Sequence, residues 1–105
     1  MAAISKWDSP VFTEAFLVWT AHGRAISPRY DDAAVVARFG TEAASELIPS
    51  MNLMLDEFYL SDAWRTAANP PEMYKKATTD FRVKHPEVAD KVLEALGWCY
   101  TFDYK

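Results

Sequence analysis

Residues 41–60 read TEAASELIPSMNLMLDEFYL, and this stretch decides the fold class. Ala44, Leu47, Met51, Met54 and Phe58 recur three or four residues apart, with Ile48 and Leu55 beside them. That is the period of an α-helix, since apolar positions in a half-buried strand alternate. Thr41 is placed to cap a helix over 42–60. Pro49 interrupts the run, because proline lacks an N–H and its ring crowds the preceding turn. A kinked helix and two helices end to end both remain open. On a helical wheel Pro49 falls on the polar side, and long helices curve convex toward solvent, so one bent helix fits.

The same signals recur in both directions. Toward the N-terminus, Ser27 and Pro28 open a predicted helix over 28–39 that Gly40 ends. Tyr30, Ala33, Ala34 and Ala37 share one face of it, and Val35 and Phe39 lie nearly opposite. Before that, Ser9 and Pro10 open a helix over 10–22 closed by Gly23. Its only polar residues are Thr13, Glu14, Thr20 and His22, so it belongs in the middle of a bundle.

Toward the C-terminus, Ser61 can cap a short helix over 62–68. Asn69, Pro70, Pro71 and Glu72 then start another, which runs to Lys84 with Met73, Tyr74, Ala77 and Phe81 inward. His85-Pro86 favours a break. A helix over 86–96 follows, with Val88, Val92 and Leu96 in register and Gly97 as its left-handed cap. Residues 98–105 alternate in period two and predict an extended aromatic tail. The expected fold is therefore all-α, an irregular five- to six-helix bundle with that tail, in a single domain spanning 1–105.

Composition agrees. The chain has 105 residues, half of them apolar and a quarter charged. A chain of this size buries roughly 65% of its unfolded surface, enough for one core without staples. Cys99 is the single cysteine, so no internal disulfide can form. No apolar run approaches the roughly 20 residues of a membrane span, and the first residues lack the layout of a signal peptide. The expectation is a soluble cytoplasmic protein with no membrane partner.

Net charge is −4, and the acids cluster. Seven acids stand between Tyr30 and Trp64 against one base, Arg38. Direct nucleic-acid binding normally needs a basic footprint, so none is expected. Arg65, Lys75, Lys76, Arg82 and Lys84 form a mixed patch. Glu72 and Asp80 are spaced to pair with its lysines, as on an ordinary exposed helix.

Chemistry-bearing motifs are scarce. The three glycines stand alone, so neither phosphate-binding template is present. His22 and His85 lack metal-ligand spacing. Nothing selects a set of Cys99, a histidine and an acid as a nucleophilic site. No metal, cofactor or catalytic residue is expected, and the balance leans away from an enzyme.

One surface pattern stands out. On a continuous helix, Glu42, Glu46, Asp56 and Glu57 share a stripe with Leu53 and Leu60, and no Lys or Arg lies between Thr41 and Leu60. The bland reading is a solvated face with two exposed leucines. The functional reading is a face that docks on a basic, nucleic-acid-binding surface of a larger machine. Small acidic inhibitors of phages and mobile elements, such as anti-CRISPR and immunity proteins, share this composition and act by occlusion.

Two alternatives stand beside it. A small helical enzyme or ligand-binding domain would place His22 or Glu14 in an aromatic pocket. An assembly subunit would form a homodimer, or meet another partner, through Tyr100, Phe102 and Tyr104 of the tail.

Overall fold

The computed structural model describes residues 4–104, and among these the ordered elements are helices. Helix α1, Pro10–Thr20, starts where the Ser9 side chain accepts the N–H of Phe12. It ends at Ala21, whose left-handed φ of 61° closes the last turn. Gly23 was expected in that role but lies two residues further on, also at positive φ.

Helix α2, Asp32–Phe39, is four residues shorter than predicted at its start. Tyr30 takes φ 52°, which no helix interior accommodates, so Ser27 and Pro28 fall in the loop. Asp31 is the cap, accepting the N–H of Ala34 at 3.0 Å. Val35 is the buried residue of this helix, and Ala33 and Ala37 face solvent.

Helix α3, Thr41–Phe58, runs unbroken through Pro49. Ala44, Leu47, Met51, Met54 and Phe58 are all buried, as their spacing predicts. Pro49 is exposed, so the missing N–H and the crowded carbonyl fall on the solvent side. The cap position is Gly40 rather than Thr41, with no side-chain bond. Next to Pro49, the hydroxyl of Ser50 donates to the carbonyl of Ser5 at 2.6 Å and accepts from the Trp7 indole at 3.1 Å. These bonds tie the N-terminal segment to the middle of α3.

A single turn, α4 (Ala63–Thr66), leads to α5, Pro70–Lys84, capped by Asn69 on the N–H of Glu72 at 2.9 Å. Helix α6, Asp90–Tyr104, departs furthest from expectation. Residues 86–89 form a turn instead of its first turn, because Arg82 reaches over to donate to the carbonyls of Pro86 and Val88. At its other end α6 continues through Gly97 and takes up the predicted extended tail.

The physical reason is packing against α5. Cys99 and Tyr100 continue the buried series Val92, Ala95 and Leu96 at helical spacing. Gly97 lets α5 approach so closely that an added Cβ would meet the Tyr74 ring and, at 2.9 Å, the Cγ2 of Thr78. The period-two pattern is then a helical coincidence, with Trp98 and Phe102 on one side and Tyr100 and Tyr104 on the other.

Helix α6 packs on both α1 and α5, while α2 bridges α1 and α3. The shortest dimension is 18 Å, which leaves room for two helix layers at the usual spacing of about 10 Å. The core between them is lined by Phe12, Phe16, Trp19, Leu47, Met51, Phe58, Phe81 and Leu96. Among the described residues, no helix is long and apolar enough to cross a membrane.

Candidate functional site

The unbroken course of α3 aligns most of the acidic stripe. Glu42, Glu46 and Asp56 are exposed along its outer face, with Pro49 between them. Leu53 is 65% exposed within that face. Leu60 lies just past the helix end and is 77% exposed. Residues of α3 include no Lys or Arg, so nothing on the helix itself neutralises the stripe.

Glu57 is different. It is half-buried and pairs with the imidazole of His85, at the end of α5. The other ring nitrogen of His85 lies 3.5 Å from Glu87, and Trp7 meets the ring edge-on at a centroid distance of 4.9 Å. His85 therefore joins the N-terminal segment, α3 and the turn before α6. Glu57 and Trp7 are remote from it in sequence, so no local spacing announces them.

At the C-terminal end of α3 lies a groove of about 270 Å³, floored by Phe58 and Phe81 and rimmed by Glu57, Asp62, Asp80 and Lys84. Helix α3 ends here, so its dipole adds partial negative charge to that rim. Asp62 keeps a 3.5 Å contact with Arg65, a solvent-exposed pair of little energetic weight.

The other candidate residues are dispersed. His22 packs against Trp98 at 5.1 Å, by a depression of about 200 Å³ that Glu14, Arg24 and Arg38 also line. Glu14 is bound to Arg38 rather than aimed inward. Cys99 is fully buried, and burial pushes its thiol up to about 11, so it stays protonated near neutrality. Tyr100 is also fully buried and spends its hydroxyl within the chain, whereas Phe102 and Tyr104 remain exposed.

One cluster escaped sequence reasoning. Tyr59 donates to Asp103 at 2.5 Å across the α3–α6 junction. Burial, and then that bond, raise the Tyr59 phenol far above its usual range. Tyr30 is raised as well, by burial first and by Cys99 second. Four side chains from three parts of the chain thus meet, and none is a sequence neighbour of its partner. Among the described residues, no group of three or more His, Cys, Asp and Glu side chains could hold a metal ion.

No family model, curated protein or solved structure matches the chain.

Proposed function

We propose that this protein is a non-catalytic binding module that docks the outer face of α3 on a basic surface of a larger partner and acts by occlusion. The supporting observation is the alignment of Glu42, Glu46 and Asp56 around exposed Leu53 on a helix that carries no base. In such an arrangement the leucine supplies desolvated contact and the carboxylates supply orientation and encounter rate. Glu57 is a lesser contributor, because His85 already engages it. A surface built to hold phosphates is the partner chemistry that fits, since it is basic and an acidic helix can compete for it.

The test begins with partner capture at low salt and release at high salt, followed by titration of the purified partner. Leu53→Arg and Glu46→Lys should each weaken binding by about tenfold or more, with the melting curve unchanged. Unaltered affinity in both variants would overturn the proposal.

A further inference from the structure

Residues 4–9 form no helix and act as a strap that joins the middle of α3 to the end of α5. Two bonds to the Ser50 hydroxyl fix the strap to α3. The Trp7 ring completes the hold, packing on Phe81 at 6.1 Å and on His85 at 4.9 Å. Phe81 is a fixed core residue. His85 is half-buried, and its orientation depends on what its two ring nitrogens bind.

Both nitrogens face carboxylates. Nε2 is bound to Glu57 of α3, and Nδ1 lies 3.5 Å from Glu87 in the turn before α6. An ionised carboxylate only accepts hydrogen bonds. A neutral imidazole donates from one nitrogen and presents a lone pair at the other, so it serves one of these carboxylates and repels the second. An imidazolium donates from both and satisfies the pair. The neighbouring bases do not take its part. Arg82 spends its guanidinium on the carbonyls of Pro86 and Val88 and on Asp90. Among the described residues, Glu57 and Glu87 pair with His85 and with neither Lys6 of the strap nor Lys84 of α5, and Asp8 forms no ion pair with the ring. On the groove side of Glu57, Asp80 and Lys84 of α5 offset each other.

We propose that His85 is the catch of a pH-released strap. Charged, it is locked between Glu57 and Glu87 and gives Trp7 a fixed platform. Neutral, it lets go of one carboxylate, the ring is free to turn, and the strap loosens from α5. Histidine is the side chain whose charge ordinarily changes between about pH 5 and 8. The strap is therefore held in mild acid and freed as pH rises, which uncovers the Phe81 ring that Trp7 packs on. This catch operates whether or not α3 docks on a partner.

The test is NMR exchange of the indole N–H groups with water, in the full chain at about pH 6 and about pH 8, with each rate taken relative to that of exposed Trp64. The Trp7 indole N–H should be at least about threefold better protected at the lower pH, the low end of what an aromatic pair contributes. Glu87→Gln should keep protection high at both values, because its amide donates to the nitrogen that a neutral ring leaves bare. His85→Gln should lower protection at both. His22→Gln should leave the difference intact, since that ring packs on Trp98 instead. An unchanged Trp19 indole N–H shift shows that each variant keeps its fold. Equal protection of Trp7 at the two pH values in the parent overturns the inference. So does a difference that survives His85→Gln, or one that disappears in His22→Gln.

Discussion

Gly97 shows how one residue sets the geometry of a helix pair. In sequence it reads as a helix end, because glycine is the usual left-handed cap. In the fold it sits inside α6 at the crossing with α5, where any Cβ would meet Tyr74 and Thr78. Two effects oppose each other when it is changed to alanine. Helix propensity favours alanine by roughly 0.5–1 kcal/mol. Overpacking costs about 1–3 kcal/mol, and Thr78 cannot easily yield because its hydroxyl is bonded to the carbonyl of Tyr74. Gly97→Ala should therefore lower stability in urea unfolding, and a second change, Tyr74→Ala, should recover part of the loss relative to the two single effects. Stability equal to or above the parent would show that the crossing is looser than described. No local signal distinguishes a capping glycine from a crossing glycine, because the neighbour that decides lies on another helix.

At the scale of the element, α3 carries both the fold reading and the functional one. Its apolar spacing was legible residue by residue, and every buried position named from the period is buried. Its continuity was not legible, since proline both removes a bond and crowds the preceding carbonyl. The side on which Pro49 falls settles the matter in favour of a single helix: water can solvate the freed carbonyl there, and packing on the opposite side holds the two halves in line. Pro49→Ala restores the bond, worth up to about 3 kcal/mol, and gives back about 0.4–1 kcal/mol by loosening the unfolded chain. The variant should unfold at higher urea with the same helical content. A loss of stability would mean that the core depends on the bend itself.

The whole molecule adds a pH dependence that no single element shows. Cys99, Tyr30 and Tyr59 all have proton affinities raised by burial at the meeting of α3, α6 and the loop before α2. The folded chain keeps protons that the unfolded chain releases, so unfolding sheds protons in alkali. The part owed to Cys99 is complete below the ordinary thiol value of 9.0 and is lost as pH rises through about 11, while the parts owed to the two tyrosines begin to fall only above their ordinary 10.0. The urea midpoint should hold level from about pH 8 up to pH 9.0 and fall steeply toward about pH 11. Cys99→Ala should flatten the first part of that fall. A level midpoint across the range would mean that these groups are wetter than their surroundings imply.

The sequence by itself determined the all-α class, the starts of α1 at Ser9-Pro10 and of α5 at Asn69-Pro70, and the buried face of α3. These depend on periodicity and on capping chemistry, which act over a few residues. It also marked the acids and leucines of the outer α3 face. Tertiary structure alone decided that α6 runs on through Gly97, that Tyr30 breaks the start of α2, and that His85 draws Glu57 out of the stripe. It alone brought Trp64 against Tyr104 and Tyr59 against Asp103. In each of these cases the deciding partner stands on another element, often dozens of residues away. Burial, close approach and ion pairing depend on distance in space, and a period read along the chain carries no record of it.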